Sequence, residues 1–301
     1  MDVFFQQLIN GISLGSLYAL IAIGYTMVYG VLRLINFAHG DVMMVSTYFA
    51  FYFITGFSLF SFVIPEMPWY VSFPVAIALT GVLGFLIEHL AYRPLRTAPR
   101  ISVLMTAIGV SFLLENLGLV IFGGRPKGFP TPRPFEEIFY IKDISLPSLS
   151  LLIPLITLIF LGATFYLVYR TKSGIAMRAI SRDIETPQLM GINVNRIISL
   201  TFILGSVLAA AGGIMLAMRY PQINPLMGIM PGIKAFVAAV LGGIGSVVGA
   251  ALGGLTLGLI EILFVAFLPS YAGYRDAIAF FILIFILLFK PTGIIGEKLP
   301  D

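Results

Sequence analysis

The chain has 301 residues, of which 59% are apolar and only 11% charged, with 18 Lys and Arg against 14 Asp and Glu and no cysteine. Soluble domains carry roughly a quarter charged residues, so this composition excludes a water-soluble globular protein and fits a chain solvated by lipid. The missing cysteines exclude disulfides, thiol catalysis and thiolate metal sites. The net charge of +4 does not mark a nucleic-acid binder, because the basic residues end apolar runs instead of forming a face interleaved with aromatics.

Taken in chain order, the first element is the run Phe4 to Leu32, which holds no charged residue. A helix rises 1.5 Å per residue, so about 20 apolar residues cross a ~30 Å hydrocarbon core. This run is too long for a cleavable signal and lacks a basic leader, so it reads as a retained first span over 4–32. The pattern then breaks at Asn36-Phe37-Ala38-His39-Gly40-Asp41. Two readings fit: an ordinary turn between spans, or a partly unwound helix facing a solute path, since paired breaks in the two halves of a transporter point to the binding region.

Spans follow at 42–64 and 68–91, the latter closing on Glu88 and His89, which lie near enough to its end to reach polar surroundings. The span 101–122 holds Glu115 and Asn116 well inside it. A charge at mid-membrane costs about 2.5–3.5 kcal/mol on insertion scales, so it points to function. Glu115 reads as a proton site or as a protonated group bonded to another helix. The loop 123–147, with prolines at 126, 130, 132, 134 and 147, reads as an ordered loop without a core of its own.

After a span at 146–169 comes the loop 170–196. Thr186 before Pro187 signals a helix start, a hydroxyl cap and then proline at the first helical position, with Gly191 as the stop. Arg178, Arg182, Asp183, Glu185 and Arg196 flank this short helix. Such an element on the membrane face is able to receive a push from a soluble motor domain, or is simply a loop held by charge pairs. A span at 197–219, an apolar stretch at 233–267 and a last span at 274–290 complete the chain.

Loop charges set the orientation. One set of loops holds Arg33, Arg93, Arg96, Arg100, Arg170, Lys172, Arg178, Arg182, Arg196, Lys290 and Lys298; the other holds Arg125, Lys127, Arg133, Lys142, Arg219, Lys234 and Arg275. The first set is the richer and reads as cytoplasmic, which makes 123–147 external and 170–196 cytoplasmic. Both flanks of 233–267 then lie outside, so this stretch must enter the membrane and return. Its turning point reads as Gly242-Gly243-Ile244-Gly245-Ser246, facing the protein interior because irregular backbone at membrane depth needs cover. Gly245, Gly249 and Gly253, with Gly254 and Gly258, form small-residue ridges for close helix packing. Glu261 resembles Glu115 but lies nearer the outer end. The expected fold is thus an all-α polytopic integral membrane protein of about eight transmembrane helices, one domain over 1–301, with a Gly-broken helical hairpin at 233–267.

No His, Asp and Glu set has metal-ligand spacing, the two histidines are His39 and His89, and neither a nucleophile elbow nor the phosphate-binding loop of ATPases occurs. If ATP drives this chain, another subunit binds it. An ion-coupled carrier, for which Glu115 is the main support, stands as the rival class.

Four stretches resemble one family. They are G-I-S-L-G-S-L-Y-A-L-I-A-I-G-Y-T-M-V-Y-G-V-L-R-L-I-N-F-A-H-G-D at 11–41, M-R-A-I-S-R-D with L-M-G-I-N-V-N-R at 177–196, G-I-K-A-F-V-A-A-V-L-G-G-I-G-S-V-V-G-A-A-L-G-G at 232–254, and Y-R-D-A-I-A-F with K-P-T-G-I-I-G at 274–296. In order, and over nearly the whole chain, they are similar to the LivH-type permeases of the branched-chain amino acid ABC importers. The resemblance implies an inner-membrane subunit paired with a second, LivM-like permease. It implies two ATP-binding subunits carrying ATP and Mg, and an external amino-acid-binding protein. It also makes 181–196 the coupling element that the ATPases grip, with Arg182, Asp183, Glu185, Thr186, Pro187, Gly191, Ile192 and Asn193. Thr186 and Pro187 stand where family members often carry two alanines. Leucine, isoleucine and valine are zwitterions with apolar side chains, and helix termini suit their charges. The route is expected along Asn36, His39, Gly40 and Asp41 and along Gly242, Gly243, Gly245 and Ser246. Related permeases handle urea or short amides, which stay open as solutes.

Overall fold

The computed structural model describes residues 2–59, 62–96, 98–141, 144–290 and 292–295. Lys142 and Lys298, counted above for orientation, and Pro291 and Gly296 of the tail motif lie outside them. The helices are α1 (Asp2–Leu32), α2 (His39–Thr55), α3 (Trp69–Ile87), α4 (Arg100–Phe122), α5 (Ser148–Arg170), α6 (Lys172–Arg182), α7 (Glu185–Leu189), α8 (Val194–Arg219), α9 (Ile229–Gly242), α10 (Val247–Phe267) and α11 (Arg275–Phe289). Among the described residues, seven helical stretches are long and apolar enough to cross a membrane. The chain is a multi-pass helical membrane protein.

Two helices form the centre. α1 is buried almost throughout and α8 mostly so, whereas α4, α5 and α11 expose most of their surface. Lipid is as apolar as leucine, so burial alone does not draw these helices together; close approach through small residues does. The backbone of Gly24 on α1 meets that of Gly205 on α8, and Gly213 of α8 meets Met43 on α2. The glycine ridges of α10 serve two partners. Gly249 and Gly253 abut Gly242 and Ala238 of α9, while Gly254 and Gly258 abut Ala19 and Gly15 of α1. A side chain at any of these would overlap the neighbouring backbone.

The second span departs from expectation. The helix begins at His39 and stops at Gly56, whose φ is +74°. The apolar letters that follow belong to a hairpin of β1 (Phe57–Leu59) and β2 (Phe62–Ile64), antiparallel with Phe57 opposite Ile64. Hydropathy reads such a run as more helix; only the left-handed glycine, a natural helix terminator, marks the end. The third span closes in a π turn at Glu88–Tyr92 and a 3-10 turn at Arg93–Leu95.

The two ends of the bundle differ. One end, here the basic end, carries Arg33, Arg93, Arg96, α6 and α7. The opposite end carries the loop 123–147, which holds β3 (Lys127–Gly128), a 3-10 turn at Arg133–Phe135, β4 (Ile138–Ile141) and β5 (Ile144–Pro147), with β4 and β5 paired antiparallel. β3 pairs with β6 (Gln222–Ile223), just after α8. Lys127 donates to the Tyr52 hydroxyl at 2.6 Å and sits over that ring, and Phe135 packs edge-on against Trp69. The loop is therefore pinned to α2, α3 and the segment after α8.

Candidate functional site

The first break is built from Arg33 onward. Arg33 has φ +54°, the one left-handed non-glycine among the described residues, and it turns the chain off the end of α1. Residues 34–38 then climb back along the bundle, and α2 starts at His39. The His39 ring nitrogen Nε2 lies 3.1 Å from the Ile21 carbonyl oxygen, and its ring stacks edge-on with Tyr25. Ile21 stands 11 residues short of the end of α1, about 16 Å into the bundle. Asn36, His39 and Asp41 are all buried. Asp41 accepts from the Ser111 hydroxyl on α4, and Asn36 accepts from the Tyr92 hydroxyl at 2.8 Å.

At this depth α2 meets the start of α9. A Cβ on Gly40 would overlap the Gly228 carbonyl, one on Gly228 would overlap the Gly40 carbonyl, and Gly232 packs on Gly40 as well. Both helices therefore bring their N-termini to one place, α2 running toward the opposite end and α9 toward the basic end. N-terminal N–H groups and the helix dipole give such a meeting point a positive character. A cleft of ≈ 190 Å³ bordered by Arg33, Leu34, Ile35, Ile101, Val103 and Leu104 lies beside the break, between it and α4.

The second break, Gly243 to Ser246, does not join this place. Gly245 lies against Gly30, two residues from the end of α1, and its amide donates to Thr26 at 3.4 Å. It borders a small cleft with Val168, Met177, Arg178 and Ser181, the basic-end parts of α5 and α6. Ser246 accepts from the Gly249 amide and so starts α10. The chain tail closes over this turn: Ile294 N–H donates to the Leu241 carbonyl at 2.9 Å and Ile295 N–H to that of Gly242 at 3.0 Å. These bonds occupy carbonyls that the end of α9 leaves open. Gly242, Gly243, Gly245 and Ser246, expected along the route with residues 36–41, thus lie at another place in the bundle, beside the basic ends of α1, α5 and α6. The two breaks sit at different heights along α1, because α9 is long enough to carry the turn down to the basic end.

In the loop 170–196, α7 starts one residue before Thr186 and places Pro187 third in the helix. The cap is Asp183, whose carboxylate accepts from the amides of Glu185 and Thr186, each at 3.0 Å, and from the Thr186 hydroxyl. The Thr186 hydroxyl, followed by these amides, holds the Asp183 carboxyl below its ordinary range. Thr186 as the cap is thus corrected to Asp183, which satisfies two amides where a hydroxyl satisfies one. Gly191 has φ +79° and its amide donates to the Gln188 carbonyl, with Ile192 N–H donating to Pro187. Asn193 caps α8 by accepting from the Arg196 amide. Arg182 ends α6. Leu189 and Met190, 87% and 78% exposed, form an apolar tip on α7 that sequence reasoning passed over.

Glu115 is half-buried on α4, one turn beyond Ser111, and Asn116 is exposed, its amide donating to the Phe112 carbonyl of its own helix at 2.7 Å. Glu88 finds its polar surroundings inside the protein. It is fully buried, paired with Arg93 and Arg96, and accepts from the Ser199 hydroxyl at 2.6 Å. Lys234, counted above as a loop charge, is buried inside α9. Its Nζ lies 2.9 Å from Glu261 Oε1 and 2.6 Å from Asp276 Oδ1; Tyr18 donates to Glu261 at 2.9 Å, and Arg275 Nε lies 3.2 Å from Glu261. Gly242 beside Gly249 and Ala238 beside Gly253 set a register that brings Lys234 within a turn of Glu261. Among the described residues, no group of three or more acidic or His side chains is arranged to hold a metal ion.

Comparison with known proteins adds kinship to this geometry. The family described as branched-chain amino acid transport system / permease component matches residues 7–287. The high-affinity branched-chain amino acid transport system permease protein BraD of Pseudomonas aeruginosa is 44% identical over 300 residues, covering 98% of this chain and 96% of the relative. The permease protein LivH of Escherichia coli is 40% identical over 297 residues, with the same coverage of 98% and 96%. A probable branched-chain amino acid transport permease of Methanocaldococcus jannaschii is 31% identical over 296 residues, covering 93% of this chain and 89% of the relative.

Proposed function

The chain belongs to the branched-chain amino acid transport system permease family, and from that premise we propose that it forms one half of the translocation path of an ATP-driven importer. The solutes are leucine, isoleucine and valine, and the membrane is the cytoplasmic one. The basic end faces the cytoplasm, and the loop 123–147 faces the external binding protein.

One observation carries the reading: the N-termini of α2 and α9 meet at Gly40 and Gly228, deep in the bundle. The carboxylate of an amino acid is attracted to helix N-termini, and Asp41 at the same helix start offers its ammonium a counter-charge. The two glycines touch here, so a solute passing between these helix starts requires α2 and α9 to part. α4 carries Glu115 and Asn116 on a surface largely bare in this chain, which suits the second, LivM-like permease. Among the described loop residues, Leu189 and Met190 beside the Asp183-capped helix suit two ATP-binding subunits, which hold ATP and Mg. This chain supplies no catalytic group.

The test is purification from the native membrane in mild detergent, with mass spectrometry of what accompanies the chain, followed by leucine uptake in vesicles. A second permease, two ATP-binding subunits and uptake that requires ATP support the proposal. A chain that purifies alone and moves leucine on a proton gradient without ATP overturns it in favour of a carrier. ATP-driven uptake of urea or short amides in place of leucine overturns the substrate assignment.

A further inference from the structure

A line of polar groups, exposed at Asn195 and buried from Glu88 onward, runs from the end of the loop 170–196 to the first break. α8 opens on Asn193 as its cap, and Asn195 follows in its first turn. Arg96 donates to Asn195 Oδ1 at 2.6 Å and also bonds Glu88. Ser199, one turn further along α8, donates to the other Glu88 oxygen at 2.6 Å and receives a bond from Arg93 at 2.9 Å. Glu88 opens the π turn that Tyr92 closes, with the Arg93 amide bonded back to the Glu88 carbonyl. The Tyr92 hydroxyl then donates to Asn36 at 2.8 Å, and its ring lies 5.2 Å from that of Phe202 on α8. Asn36 in turn accepts the His39 amide on its carbonyl at 3.2 Å, at the start of α2.

A buried carboxylate with two arginines and a serine is costly unless every partner is held. Such a cluster moves as a unit or not at all. π turns are rare and occur mostly at functional joints, where one extra residue per turn can shift along the helix. Here the joint stands between the two places where α8 and α2 begin.

We infer that Tyr92 and Asn36 are positioning residues that carry displacement of the loop 170–196 to the N-terminus of α2, through the Glu88, Arg96, Asn195 and Ser199 cluster. This rests on the importer reading above. When the ATP-binding subunits shift α7 and the start of α8, the cluster shifts the π turn, and the Tyr92 hydroxyl shifts the segment that ends in His39 and Gly40. Tyr92 touches no solute; it sets where α2 starts.

The experiment uses the complete importer in vesicles, with this chain, its companion permease, the ATP-binding subunits and leucine-loaded binding protein, and reads leucine moved per ATP hydrolysed. Tyr92→Phe keeps the ring and removes the hydroxyl. The expected result is ATP hydrolysis still stimulated by loaded binding protein while leucine per ATP falls about fivefold, the scale of one buried hydrogen bond. Asn195→Ala, which removes the other end of the line, is expected to lower the ratio similarly. The double variant is expected to be no worse than either single one, because both break one series. Uptake and hydrolysis falling in proportion, an unchanged ratio, or single effects that multiply in the double variant each overturn the inference. Wild-type vesicles that show no ATP-dependent leucine uptake instead overturn the importer reading beneath it.

Discussion

At the first break, residues 33–41, the chain leaves α1 through a left-handed arginine and returns about 16 Å into the bundle before α2 begins beside Ile21. At the second, residues 243–246, two helices are joined by glycines of φ +110° and +96° at the level of Gly30, under a cover of tail amides. In sequence the two look alike: glycine and polar letters interrupting apolar runs. In space one is buried against the start of α9 and the side chains of Tyr25, Tyr92 and Ser111, and the other is a tied-off turn. Glycine at the first serves close approach of backbones; at the second it serves backbone conformation. On the importer reading proposed above, that difference separates a place where helices part from a place where they stay joined.

The comparison breaks most sharply at Gly40. Gly40→Val forces a side chain into the backbone of Gly228, and the expected loss, about 4–5 kcal/mol or more, removes both uptake and a folded subunit in a thermal-unfolding assay. A variant that purifies with wild-type thermal stability would show that α2 and α9 are not packed there. Next comes the arm between the two breaks. Lys234→Met leaves Glu261 with Arg275 and Tyr18 but without its ammonium partner, which costs roughly 3 kcal/mol; adding Glu261→Gln should return most of it in the same thermal assay.

At the second break the effects are smaller and of another kind. Gly243→Leu strains a φ of +110°, by about 1–2 kcal/mol. The subunit should still assemble with its partners while leucine uptake is blocked; normal uptake would show that the tied turn has no part in transport. The smallest effect belongs to the loop. The Thr186 hydroxyl, with the amides of Glu185 and Thr186, lowers the Asp183 pKa, so the cap is fully present above the unfolded value of about 3.9 and is lost as pH falls through the lower folded one. At neutral pH, Asp183→Ala should raise amide exchange across 185–190 and leave exchange in α1 unchanged.

The spans were legible because lipid imposes one composition on every helix that meets it. The family was legible because its motifs recur in order. Where α2 stops was not, since Phe57 to Ile64 are as apolar as the helix before them and only Gly56 differs. Lys234 was misplaced because near the end of an apolar run a charge looks like a loop residue. One of the partners of buried Glu88 is Ser199, 111 residues away, and no local pattern reports that. Asp183 was read as a flanking charge because a carboxylate three residues before Thr186 competes equally well as a cap. The meeting of Gly40 with Gly228 joins segments with no shared letters beyond glycine, so each break was visible and their separate fates were not.

The pairing of Lys234 with Glu261 also orders the making of the protein. α9 has 14 residues, about 21 Å of helix, and a lysine whose insertion alone costs about 2.5–3.5 kcal/mol. By itself it has neither the length nor the charge balance to enter a bilayer. Its counter-charge is synthesised 27 residues later, after the turn and most of α10. A nascent chain halted at residue 250 should therefore leave α9 accessible to water-soluble labels, and one halted well beyond Glu261 should not, as expected if α9 and α10 enter the membrane together, on the schedule of the second arm.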